Sequence, residues 1–291
     1  MEKNLVYHSA TLPSQHGKRP FSFDCRYIRS KTPKPLIIFI HGFKGFKDWG
    51  HFNLLADYFA EQGFAFCKFN FSYNGTTPNH PTDFIDLDAF GQNTYSKELD
   101  DIGTMIDYFC SLEGEIHQGE IDRDKLCLMG HSRGGGVAVI KAAEDNRIKA
   151  LVTLAGISDL SNGWREEILA QWKRDGVRYI HNARTMQNMP LYYSLAEDFL
   201  KQQDRFDMAS VASQLKIPAL IVHGTHDMTL PVSMAQSLKS WLPNAHLILM
   251  EGADHTFGGY HPYPIHALPH ESKKAADAIC VFLKQSGLIS D

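Results

Sequence analysis

The chain has 291 residues, 43% hydrophobic and 21% charged, which is enough for a sizeable buried core in a single domain. A formal net charge of −4 leaves no electrostatic footprint for nucleic acid or an anionic membrane surface as a partner. No uncharged stretch is long enough to span a bilayer, residues 1–8 lack the apolar core of a signal peptide, and the odd, dispersed cysteines (Cys25, Cys67, Cys110, Cys127, Cys280) suit buried free thiols; a cytoplasmic protein is expected.

In chain order, residues 4–10 and 21–28 read as a hairpin joined by a polar loop containing Pro13 and Gly17. Residues 35–40 are continuously apolar, as in a strand covered on both faces, and end at His41-Gly42-Phe43-Lys44-Gly45-Phe46. A helix over 52–62 stops at Gly63, and 64–71 form the next strand. Asn74-Gly75-Thr76 is formally a glycosylation acceptor but is read as a turn, and residues 76–93 follow no recognisable pattern. Leu99, Ile102, Ile106, Phe109 and Leu112 recur at helical spacing.

A short apolar strand, 125–129, then runs into Gly130-His131-Ser132-Arg133-Gly134-Gly135-Gly136 and a helix over 137–144. A serine at a strand-to-helix turn with glycine two positions to either side forms a nucleophile elbow: a Cβ at Gly130 or Gly134 would collide with backbone, and Ser132 is pushed outward. Neither phosphate-loop pattern occurs here. The next strand is 148–154. From 158 to 216 the alternation breaks: Trp164, Ile168 and Trp172 share a helix face ended by Gly176, Ser194-Leu195-Ala196-Glu197 reads as a capping box, and Met208, Val211, Ala212 and Leu215 mark a third helix. With no strands expected between them, these pieces predict an inserted helical cap. The strand–helix rhythm resumes with strand 218–224, helix 233–241, strand 246–250 and a closing helix carrying Ala275, Ala276, Ile279, Phe282 and Leu283.

A serine nucleophile needs a base and a carboxylate that orients the base. Asp227 in His223-Gly224-Thr225-His226-Asp227 and His255 in Gly252-Ala253-Asp254-His255-Thr256-Phe257 both follow late strands, and parallel strands bring all three loops to one sheet edge. Asp254 is set aside, because a sequence neighbour rarely turns its carboxylate onto the adjacent imidazole. The backbone amides of Phe43 and Arg133 are the expected oxyanion donors. The H-x-x-H-D string has no obvious further ligand, so no metal is expected; His261, His266 and His270, interleaved with prolines, suit a rim loop. Lys44 and Arg133 flank the expected oxyanion hole and could attract an anionic group, with solvent exposure the default for both. Trp164, Tyr192 and Tyr193 are candidates for a substrate pocket, as are Trp172 and Tyr179, although packing within the cap would account for any one of them.

In their order, the HGF, GHSRGG, HGTHD and GADHTF segments resemble the α/β-hydrolase superfamily over nearly the full chain. HGF followed by Lys44-Gly45, the helical insertion, and Asp227-x-x-Leu230-Pro231 resemble bacterial cinnamoyl or feruloyl esterases and acylaminoacyl-peptidase-like hydrolases. The resemblance implies a mostly parallel sheet flanked by helices, with core residues 1–157 and 217–291 and cap residues 158–216. It also implies a cofactor-free carboxylic ester hydrolase acting on a small-molecule ester through an acyl-enzyme on Ser132. Amide, peptide or thioester hydrolysis with the same residues, or a non-catalytic binding protein on this fold, stay open.

Overall fold

The computed structural model describes residues 4–111, 119–161 and 163–289. Two antiparallel strands, β1 (Leu5–Pro13) and β2 (Pro20–Ile28), form the expected hairpin at one edge of an eight-stranded sheet. The chain then runs through β3 (Lys34–Ile40), α1 (Phe52–Glu61), β4 (Ala65–Phe69), a short α2 (Leu87–Gly91), α3 (Tyr95–Cys110), β5 (Ile121–His131), α4 (Arg133–Glu144) and β6 (Ile148–Leu154). An insertion holds α5 (Glu166–Asp175), β7 (Val177–Asn182), β8 (Gln187–Tyr192), α6 (Ser194–Lys201), α7 (Gln203–Phe206) and α8 (Met208–Gln214). The fold is completed by β9 (Ala219–Gly224), α9 (Val232–Trp241), β10 (Ala245–Met250) and α10 (His270–Gln285). The sheet order is β1-β2-β4-β3-β5-β6-β9-β10, parallel from β4 to β10. Leu112, the last residue expected on the third helix, lies outside the described residues.

Because successive strand residues point to opposite faces, the apolar runs feed two cores. Ile38, Ile40 and Leu128 pack on one face with α3, α4, α8 and α9; Ile37, Phe39, Cys127 and Met129 pack on the other with α1 and α10. Strand order reverses at β3 and β5. Their carboxyl ends diverge into different connections and leave a crevice, the place where ligands bind in open parallel sheets.

The insertion differs from the expected all-helical cap. Helix α5 does end at Gly176, in the left-handed region at φ 72°. Beyond that glycine, β7 and β8 pair as an antiparallel hairpin before the chain returns to helix. The hairpin is half-exposed, so it has no continuous apolar run, and its turn places Met186 at φ 56°, where glycine would ordinarily mark the turn in the sequence. The capping box is not formed either: the N-cap of α6 is Tyr193, whose carbonyl accepts from the Glu197 amide, and Ser194 is already the first residue of the helix. Helix α8 is capped by Asp207, which accepts from the Ala209 and Ser210 amides, and it buries Met208 and Ala212 in the core that contains α4.

The expectation of free thiols throughout is also corrected. Cys25 of β2 and Cys67 of β4 face each other in antiparallel register and are joined as a disulfide, while Cys110, Cys127 and Cys280 are free. The cysteines therefore no longer argue for a reducing compartment. Among the described residues, no helix is long and apolar enough to cross a membrane.

Candidate active site

Ser132 follows the last residue of β5 with φ 57° and ψ −121°, a conformation that costs a non-glycine residue about 1–3 kcal/mol and persists only where its surroundings enforce it. The enforcement is visible. The Ser132 amide donates to the Leu154 carbonyl (2.9 Å), and its carbonyl accepts from Gly135 (3.0 Å) and Ile157 (3.2 Å). A Cβ at Gly130 would run into the Gly134 carbonyl, and one at Gly134 into the carbonyls of Ile40 and His41, as the spacing of the glycines predicts.

The loops after β9 and β10 deliver the partners. His255 Nδ1–H donates to Asp227 Oδ2 (2.7 Å), and the Ser132 hydroxyl lies 3.1 Å from His255 Nε2. Asp227 Oδ1 accepts from the Thr229 and Leu230 amides, both at 2.8 Å. Burial works to raise the Asp227 pKa, but the His255 hydrogen bond and these two amides outweigh it and hold the carboxyl below its ordinary value. An ionised Asp227 fixes the proton on His255 Nδ1 and leaves Nε2 free to accept from Ser132. Asp254 does something else: its Oδ1 accepts from the Thr256 and Gly258 amides and shapes the His255 loop. His223 donates from Nε2 to the Leu230 carbonyl at 3.1 Å and is thereby engaged with the backbone around Asp227.

His131, the last residue of β5, is not among the site residues expected from sequence. Its Nε2–H donates to the His255 carbonyl (2.9 Å), and the two rings lie 4.9 Å apart. Burial chiefly, helped by the neighbouring His255, pushes its pKa down to about 3, so it stays neutral and holds His255 as a fixed donor. The side chain of Arg133, expected in solvent, is instead folded inward. It donates to Glu98 Oε1 (3.1 Å) and covers the Phe43 ring at 3.9 Å, thereby bracing the loop that carries the Phe43 amide. Among the described residues no hydrogen bond occupies the Phe43 or Arg133 amide.

Below that loop, Lys47 and Lys68 alternate with Asp24 and Asp48 in a closed ring of four contacts from 2.5 to 2.7 Å. The Lys47 amide also donates to Asn70 Oδ1 (2.7 Å), so residues 41–51 are tied to β2 and β4 at several points. Asn74 is buried; its amide donates to the Gly45 carbonyl (3.3 Å) and its Oδ1 accepts from Thr76, which makes Asn74-Gly75-Thr76 the expected turn.

A cavity of about 240 Å³ opens over Ser132, lined by Phe43, Lys44, Trp49, Phe52, Asn182, Arg184 and Thr256 as well as His131 and His255. Larger grooves of about 450 and 660 Å³ lie toward the amino ends of the strands, among residues 28–35 and 142–148, away from this chemistry. Trp164, Tyr192 and Tyr193 do not line the cavity. Trp164 packs edge-on to Trp172 (5.3 Å) and Phe199 (5.6 Å), Tyr193 packs against Trp172, and the Tyr192 hydroxyl donates to Asp88. The insertion reaches the cavity through the hairpin, by Asn182 and Arg184. His261, expected on the rim, accepts from the Gly50 amide (2.9 Å) and packs on Phe46.

Residues 35–179 match the family model described as alpha/beta hydrolase fold. Est1E from Butyrivibrio proteoclasticus superposes with a TM-score of 0.66 at 18% identity, covering 97% of this chain and 99% of that one. The chain is an α/β-hydrolase. Among curated relatives of this α/β-hydrolase, the quorum-quenching protein AidA of Acinetobacter baumannii (strain MDR-ZJ06) is 27% identical over 130 residues, 45% of this chain and 38% of AidA. The 2,6-dihydropseudooxynicotine hydrolase of Paenarthrobacter nicotinovorans is 29% identical over 134 residues, 46% of this chain and 33% of that enzyme. The matched stretch thus spans a third or slightly more of the length of each of these relatives.

Proposed function

We propose that this α/β-hydrolase cleaves a small carboxylic ester through an acyl-enzyme on Ser132. The observation that carries the reading is the unbroken line Asp227–His255–Ser132, with Ser132 held outward at φ 57° beneath an open cavity. In this mechanism His255 Nε2 takes the hydroxyl proton as Ser132 Oγ attacks the ester carbonyl, and Asp227 stabilises the imidazolium without taking a proton. The Phe43 and Arg133 amides receive the charge that develops on the carbonyl oxygen, with Arg133 at the first turn of α4, where the helix dipole assists. His255 returns the proton to the leaving alkoxide; a water, deprotonated by His255, then releases the acid and restores Ser132. Support also comes from Est1E, whose structure has been solved with ferulic acid bound.

The deciding experiment is labelling with a fluorophosphonate probe, followed by a panel of nitrophenyl alkanoates and methyl ferulate. Wild-type protein should label and Ser132→Ala should not, with kcat lowered at least about a thousandfold. Ester hydrolysis that survives in Ser132→Ala would sink the reading. The same panel, extended to matched anilides and thioesters, separates ester from amide or thioester preference.

A further inference from the structure

We propose that Lys44 and Arg184 form an anion-recognition subsite beside Ser132, so that the substrate is an ester bearing a carboxylate at some distance from its scissile carbonyl. This rests on the ester-hydrolase reading above and names the class of ester.

The argument begins with charge pairing. In a chain with more Asp and Glu than Lys and Arg, no carboxylate among the described residues lines the cavity over Ser132, whereas Lys44 and Arg184 do. Of the cations around this end of the sheet, Arg133 is neutralised by Glu98, and Lys47 and Lys68 by Asp24 and Asp48. Lys44 and Arg184 have no such partner among the described residues. Lys44 Nζ reaches only the His181 carbonyl at 3.5 Å; Arg184 Nη2 donates to the Lys44 carbonyl at 3.2 Å, while Nη1 is shielded from solvent and makes no hydrogen bond.

Half-burying two like charges together without a counter-ion is unfavourable, and an unpaired shielded guanidinium nitrogen adds to the cost. Burial lowers the Lys44 pKa, and the neighbouring Arg184 lowers it further. Both strains are relieved by one anion seated between the two side chains. The positions are also built. Lys44 sits at φ 56° in the loop held by the buried charge ring, and Arg184 is fixed over the rings of Phe46 (5.0 Å) and Phe84 (5.6 Å). Phe43, Trp49 and Phe52 give the same cavity an apolar aromatic wall, so the body of the substrate is apolar and its charge is at the cationic end.

The test uses charge-matched ester pairs followed by pH-stat: monomethyl adipate against methyl adipamate, with the carboxylate on the acyl side, and 3-acetoxybenzoate against 3-acetoxybenzamide, with it on the leaving side. For at least one pair the anionic ester should have a kcat/KM at least about tenfold higher, the size expected of a charge pair in a partly desolvated site. Lys44→Met and Arg184→Met should each cut that preference at least threefold. Lys44→Met is the cleaner variant, because Arg184 also braces the hairpin. A preference that is absent, or present and unmoved in both variants, overturns the proposal.

Calorimetric binding of each pair to Ser132→Ala protein reads the subsite without any chemistry. If wild-type protein neither labels nor hydrolyses, the ester reading fails while this arm still decides anion recognition. Equal affinity for charged and neutral partners would then reject it, and preference for the anion lost in Lys44→Met would uphold it.

Discussion

His131 and Asp227 flank the same imidazole, one holding its backbone and the other its ring. Replacing His131 by Ala frees the His255 carbonyl and opens space beside the ring, so kcat should fall about 10- to 100-fold with KM changed less than about threefold, measured by steady-state kinetics on the best ester of the panel. If KM moved and kcat did not, His131 would belong to substrate binding. Ser132, Asp227 and His255 were legible from sequence because each follows an apolar strand, and parallel strands force their carboxyl ends together. His131 was legible in part, as the residue before the serine, but nothing in a string reveals that its ring would cross to a loop 124 positions away. Glu98 left a fainter trace, an acid on the same helix face as Ile102. Trp164, Tyr192 and Tyr193 misled because aromatic content shows that something must be packed and gives no direction; the cavity-lining Arg184 sits in a hairpin turn that leaves no apolar pattern.

Among the elements, the loop of residues 41–51 is the one whose conformation the proposed chemistry depends on, and the ring beneath it is what holds it. Asp24 and Lys68 are fully buried, and two strands and the loop share the four charges. Removing Asp24 leaves two buried ammonium groups sharing the single carboxylate of Asp48, so Asp24→Ala should lower the unfolding free energy by about 3–5 kcal/mol in urea melts. A loss under about 1 kcal/mol would mean that water replaces the carboxylate there. The strands and most helices could be read from period and punctuation. The ring could not, because Asp24, Lys47, Asp48 and Lys68 look like ordinary surface charges until β2 and β4 are placed side by side. The β7–β8 hairpin escaped for the opposite reason, since half-exposed strands carry too little apolar contrast to register.

At the scale of the whole molecule, His41, His51 and His131 are buried in their neutral form. Burial holds His41 and His51 at about 4 and His131 at about 3, against 6.5 for a free imidazole. The unfolded chain therefore takes up protons first as pH falls. The stability these groups contribute is complete above pH 6.5 and is lost on the way down to about pH 4 for His41 and His51 and about pH 3 for His131, at roughly 1.4 kcal/mol per pH unit for each group. Asp101, raised by burial to about 7, works in the opposite sense, as does Glu98, also raised chiefly by burial, but the imidazoles outnumber them. Tm should accordingly fall between pH 7 and pH 4.5 in thermal melts, and His51→Gln should lose less over that interval than wild type; a flat or rising Tm would contradict this.

The spread of the site along the chain has a consequence in time. His255 lies 123 residues after the serine it faces. At ribosomal rates of about 5–20 residues per second, Ser132 is synthesised roughly 6–25 s before His255 exists. Throughout that interval the emerging chain carries an ordinary alcohol, and the nucleophile of the proposed mechanism is assembled only when the last two parallel strands dock.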